Sequence, residues 1–241
     1  MNEVRRASDM HEGDGARVKR LMPIPGFMNF DPFVLFDNFE LAPGTGFPPH
    51  PHRGFEAITY LFTGEIEHRD NLGNVSRVGP GGAQRFTAGH GIVHSEMPSV
   101  EEPTRGIQLW INLPARLKAS APAYQEAGAE TVVEEAVAGG VRRVIVGEGG
   151  PVALMTPVRY VHYRFTADGE VDEPLPVGWR AIVYVLDGEM SVNGERLATA
   201  DAYFAEDVEG LALQAQAGTE CMFVAGLPHG EPIRQRGPFV D

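Results

Sequence analysis

Residues 58–66, ITYLFTGEI, and residues 182–190, IVYVLDGEM, are two versions of one phrase at a constant offset of 124. Ile58 matches Ile182, Tyr60 matches Tyr184, and Gly64-Glu65 matches Gly188-Glu189. In both copies strand formers run into a Gly-Glu turn and then into a second strand. Self-similarity over so long a period means that one structural unit occurs twice. Two β domains are therefore expected, residues 1–130 and residues 131–241.

The rest of the chain fits that expectation. EAITYLF, EIEHR, VSRV, AQRFTAG, RGIQLWINL, VRRVIVG and ALMTPVRYVHYRF alternate with turn signals such as DNLGN and GPGG. Short runs of Val, Ile, Tyr, Phe and Thr between Gly, Asn and Pro clusters predict an all-β sandwich or barrel. The 29 glycines and 19 prolines suit many short strands better than long helices. Helix-like periodicity is brief, from Pro114 to Glu135, and prolines interrupt it. A linker with one turn of helix is expected there.

Charge and composition exclude several functions. A net charge of -13 disfavours nucleic acid as a partner, because phosphate binding needs a basic surface. No apolar stretch approaches the roughly 20 residues of a bilayer span. The first residues, MNEVRRASDMHEGDG, have no apolar signal-peptide core. Cys221 is the only cysteine; within CMFVAGL it reads as a buried strand residue, not a nucleophile. A reducing, cytoplasmic location follows as the expectation.

The histidines carry the chemistry. In FPPHPHRGFEAITYLFTG, His50 and His52 are two residues apart at the start of a strand run. Side chains alternate across a strand, so residues i and i+2 present both imidazoles to one face. GIVHSEMP repeats the arrangement with His94 and Glu96. Two such pairs in one β unit give three imidazoles and one carboxylate, a set that suits Fe, Mn, Ni, Cu or Zn and leaves coordination positions open. Glu56 is the rival fourth ligand. His90, in TAGHGIVH, is placed either as a hydrogen-bond donor behind the ligands or as a loop residue. His68 is expected to be solvated, and His11, His162 and His229 to be structural or exposed. Carried back by the same offset, His50 and His52 fall on Pro174 and Pro176, and Glu56 on Arg180, so the second domain is expected to lack metal ligands.

The spacing of GTGFPPHPHRGFE resembles the first motif of the cupin superfamily, whose glutamate is usually a ligand. The usual second motif is half present, since PGGAQR puts Arg85 where a histidine should stand. The search for further ligands then moves on to His94 and Glu96. With FPPHPHRGFEAITYLFTGEIEHRDNLGN, GPGGAQRFTAGHGIVHSEMP, GIQLWINLPARLK and GEPIRQRGPFVD, nearly the whole chain resembles the pirin family, a branch of the cupins. The resemblance implies an all-β fold of two cupin (jelly-roll) barrels. It also implies one divalent metal, Fe(II) before Ni, Mn, Cu or Zn, in the N-terminal barrel on His50, His52, His94 and Glu96, with Glu56 not a direct ligand. Several family members are quercetin 2,3-dioxygenases, which open a flavonol with O₂ and release carbon monoxide; others act as iron-dependent, redox-sensitive regulators through protein partners. On the first reading the partners are a small phenolic or enolic substrate and O₂, with Glu96 as general base and Phe47, Phe55 and Phe86 either as aromatic walls or, more commonly for such residues, as plain core packing. On the second, a protein partner reads the metal's charge without turnover. Neither involves a membrane or direct nucleic-acid binding.

Overall fold

The computed structural model describes residues 2–241. By contacts the chain forms two units, residues 8–131 with 229–241, and residues 132–228 with the residues up to Ala7. This differs from a division between residues 130 and 131 at both ends of the chain. The first strand, Asn2–Arg6, pairs with Asp201–Ala205 of the second unit. The last residues instead pack in the first unit, where Val240 joins its core.

Each unit pairs a seven-stranded sheet with a four-stranded one, all antiparallel within them. In the first unit the large sheet runs Ala123–Ala127, Ala83–Thr87, Phe55–Thr63, Thr104–Asn112, Phe33–Leu41, Ala16–Met22 and Ser8–Glu12. Its small sheet runs Phe47–His52, Ile92–Pro98, Ile66–Asp70 and Val75–Val78. The second unit follows the same order: Asn2–Arg6, Asp201–Ala205, Arg180–Asp187, Glu220–Gly226, Val158–Phe165, Gly140–Val146 and Val133–Val137, then Gly169–Pro174, Gly210–Ala215, Glu189–Val192 and Glu195–Ala198. The repeat seen in the sequence is thus a repeat of topology. Only the edge strand has a different origin, Ala123–Ala127 in one unit and Asn2–Arg6 in the other.

The shared Gly-Glu turn has a steric reason. Gly64 and Gly188 adopt φ of +72° and +85°. A Cβ at either would fall within 3 Å of the backbone of a fully buried threonine, Thr104 or Thr219. Only glycine meets both demands.

Two expectations need correction. The stretch from Pro114 to Glu135 is not mainly a linker. It holds two short 3-10 turns, Ala115–Leu117 and Ala129–Thr131, but also the Ala123–Ala127 strand, and Val133–Val137 begins within it. Edge strands pair on one side only, so tertiary partners rather than local pattern define them. The offset of 124 also fails upstream of Arg180. Two residues, 53 and 54, join Phe47–His52 to Phe55–Thr63, whereas five, 175–179, join the equivalent Gly169–Pro174 to Arg180–Asp187. Pro174 and Pro176 are therefore not the counterparts of the histidines. The buried, inward position on Gly169–Pro174 is Glu173, beside the half-buried Val171. No helix among the described residues is long and apolar enough to cross a membrane.

Candidate metal centre

Register brings the histidine pairs together. In the small sheet of the first unit His50 lies directly opposite His94, and His52 opposite Ile92. Directly opposite residues place their Cβ atoms about 5 Å apart. His52 projects to the same face as His50 by alternation. The ligand atoms of His50, His52 and His94 all lie within 4.8 Å of one another. Their ring centroids are 4.5, 4.6 and 5.0 Å apart pairwise.

Hydrogen bonds orient these rings. His50 Nδ1 is 2.7 Å from the Pro48 carbonyl oxygen, and His52 Nδ1 is 3.2 Å from that of Pro238. A carbonyl only accepts, so both Nδ1 atoms carry the proton and both Nε2 atoms carry the lone pair. His94 Nε2 is buried and has no hydrogen-bond partner. Burial foremost, with His50 adding to it, pushes His52 down to about 3, and burial holds His94 well below the usual imidazole range. Three imidazoles brought this close, one of them with an otherwise orphaned buried nitrogen, could hold a transition metal.

Glu96 is 4% exposed and lines the same cavity as His50 and His52, apart from the cluster of three. Thr59 Oγ1, 2.8 Å away, and Gln84 Nε2 both donate to its Oε1, and Oε2 receives neither bond. Thr59 Oγ1 is also 2.6 Å from the Gln108 amide. The amide atom there is Gln108 Oε1, so the one hydroxyl proton of Thr59 faces two acceptors, Glu96 and Gln108. Gln84 in turn accepts from Tyr124 OH at 3.0 Å.

The cavity has a volume of about 510 Å³. Of the three aromatic candidates only Phe47 lines it, and Trp110 lines it too. Phe55 and Phe86 are fully buried behind His52, with ring centroids 5.1 and 5.4 Å from it. On another wall Arg20 makes a two-pronged bond to Asp37, 2.8 and 2.6 Å, and reaches Glu12 at 2.6 Å. Burial works against the Arg20 charge, but Asp37 and Glu12 outweigh it and hold the guanidinium above its usual pKa. The tail closes one side: Gly237 and Pro238 line the cavity, and Arg53 grips Asp241 at 3.0 and 3.1 Å. The tail can lie there because Gly54 has no Cβ; one would strike the Val240 carbonyl.

The other candidates separate cleanly. Glu56 is fully buried and accepts from Thr87 Oγ1 at 2.7 Å. Alternation turns it to the opposite face of its strand from Thr59, away from the cavity. His90 is exposed and serves the loop through its backbone N–H, which donates to Ser120. His68 is not solvated; it is fully buried, 3.1 Å from Asp70 Oδ2 through Nε2. Its strand is an inner one of the small sheet, and Tyr124 stacks on its ring at 4.1 Å. Thr59, Gln84, Gln108, Arg20 and Pro238 went unrecognised in the sequence. The one available signal was a polar residue on the inward face of an apolar strand, as in ITYLF and IQLWI.

Residues 15–111 match the Pirin family, and residues 160–241 match the Pirin C-terminal cupin domain. A pirin-like protein of Arabidopsis thaliana is 40% identical over 97% of this chain and 81% of its own length. The crystal structure of a quercetin 2,3-dioxygenase from Acinetobacter baumannii superposes with a TM-score of 0.90 at 29% identity, covering 100% of this chain and 92% of the other. A bacterial pirin from Escherichia coli, solved in complex with nickel(II), shares the fold with a TM-score of 0.80 at 23% identity, over 95% of this chain and 99% of its own. Its two cupin barrels, its histidine-bearing first barrel and these matches together show that the chain belongs to the pirin family.

Proposed function

We propose that this protein is a metal-dependent dioxygenase of the pirin type, opening a flavonol such as quercetin with O₂ and releasing carbon monoxide. The observation that carries the reading is the convergence of His50, His52 and His94, with the buried Nε2 of His94 left without any partner. His50, His52, His94 and Glu96 would hold one divalent ion, Fe(II) first among Fe, Ni, Mn, Cu and Zn. When bound, the ion supplies Lewis acidity that lowers the pKa of a substrate hydroxyl.

The protein's own groups supply the rest. Glu96 Oε2, free of the two donors on Oε1, takes the proton of the flavonol 3-hydroxyl as general base. Thr59 and Gln84 hold that carboxylate in place as it does so. A cavity of about 510 Å³ is the right size for a flat three-ring molecule, and Phe47 and Trp110 offer it apolar faces. The tail over Gly54 and the apolar cluster of Phe55, Phe86 and Trp110 keep water from the inner side.

The test is direct. Anaerobically purified protein, loaded in turn with iron, nickel, manganese and copper, is given quercetin and then O₂. Loss of the flavonol absorbance together with carbon monoxide is the expected result. No turnover with any of the four ions rejects the assignment.

A further inference from the structure

His94 differs from the other two imidazoles in what holds it. His50 and His52 each donate Nδ1–H to a backbone carbonyl, whose role as acceptor is fixed. His94 Nδ1 faces another imidazole, His68 Nδ1, at 3.5 Å. Either nitrogen of such a pair can be the donor, so the tautomer of His94 is decided one residue further back.

That residue is Asp70. Its Oδ2 lies 3.1 Å from His68 Nε2, and a carboxylate only accepts, so His68 Nε2 carries a proton. With that proton engaged on Nε2, Nδ1 is the nitrogen His68 turns to His94, and it accepts from His94 Nδ1–H. His94 is left with a bare Nε2 turned to the other two rings. The opposite arrangement would put an N–H at His94 Nε2, which is buried and has no acceptor.

The pair is built to stay in place. Asp70 Oδ1 accepts from the backbone N–H of Leu72 at 2.9 Å and of Asn74 at 3.0 Å, and its Oδ2 from Asn74 Nδ2 at 2.8 Å. His68 is stacked on Tyr124 with an interplanar angle of 17°. Neither side chain exposes any surface.

We propose that Asp70 and His68 are positioning residues that fix His94 as the Nδ1–H tautomer and so aim its Nε2 lone pair into the imidazole cluster. The inference rests on the reading of that cluster as a metal site, but its tautomer half can be judged in metal-free protein.

The test uses the full chain with ¹⁵N-labelled histidine. In metal-free wild type, long-range ¹H–¹⁵N correlations should show His94 protonated at Nδ1; protonation at Nε2 overturns the proposal. Ni(II) and Fe(II) affinities are then measured by competition with a chelator, with thermal midpoints as the folding control. His68→Phe keeps the stack on Tyr124 and removes the acceptor; it should bind either ion about 10–100-fold more weakly. His68→Gln offers an amide oxygen to His94 and an NH₂ to Asp70, and should recover most of that loss. A folded His68→Phe that binds as tightly as wild type refutes the positioning role. Wild type that binds neither ion sinks the metal reading instead, and the ¹⁵N pattern still decides the tautomer.

Discussion

In the first barrel the Phe47–His52 and Ile92–Pro98 strands turn His50, His52, His94 and Glu96 inward. In the second, the equivalent Gly169–Pro174 and Gly210–Ala215 strands turn in Val171, Glu173, Leu211, Leu213 and Ala215. Those apolar chains pack with Met190, Phe223 and Tyr203 into a continuous core. Each barrel thus buries one carboxylate on these strands, and each must be compensated, because an isolated buried charge is costly. Glu173 is compensated by the protein: Arg159 and Arg142 pair with it, and Tyr163 donates to it. Among the described residues Glu96 meets the neutral side chains of Thr59 and Gln84, and His50 and His52 share its cavity. The same scaffold therefore sets arginines beside the buried carboxylate of one barrel and neutral donors beside that of the other.

The sharpest way to break this contrast is to remove a ligand. His52→Ala or His94→Ala should abolish stoichiometric metal in the purified protein, whereas Glu173→Gln should leave it unchanged, as elemental analysis would show. Metal retained by both histidine variants, or lost from the Glu173 variant, would reverse the roles given to the barrels. Next in size is Glu96→Gln, which keeps the hydrogen-bonding shape but removes the base. Flavonol consumption should fall about 10²–10⁴-fold, and more than any change in quercetin affinity measured by quenching of Trp110. In the other barrel, Glu173→Ala strands Arg142 and Arg159 beside a buried gap. Loss of a buried partner costs about 3–5 kcal/mol; both arginines are about a quarter to a third exposed, so the lower end is expected in urea unfolding. Smallest is Cys221, fully buried, where burial pushes the thiol far above its usual pKa. Native protein should resist iodoacetamide over hours and react once unfolded.

Much of the architecture was legible because its signals are local. The Ile-x-Tyr-x-x-x-Gly-Glu phrase encodes a strand and a turn whose glycine must take positive φ, and both copies obey it. His50, His52 and His94 were legible for the same reason: an i, i+2 spacing in a strand fixes a face without any knowledge of neighbours. His68 and Asp70 have that very spacing, within EIEHRD, yet His68 was expected to be solvated and Asp70 fell in the turn signal DNLGN. Nothing in those six residues says that the strand lies inside a sheet, or that Tyr124, 56 positions away, covers it. Arg20, Gln84 and Pro238 were hidden in the same manner, since each acts through partners far off in the chain.

By itself, then, the sequence determined the alternation of strands and turns, the duplication, and the face on which each histidine pair would lie. These follow from backbone sterics and the two-residue period of a strand, which act within a few residues. The tertiary structure decided which strands became neighbours, and through that which polar groups met in a space without water. It set His94 opposite His50, brought the Pro238 carbonyl to His52, and gave arginines to Glu173 but not to Glu96. Hydrogen bonds and charge pairs between residues remote in the chain exist only once strand pairing has closed the barrel around them.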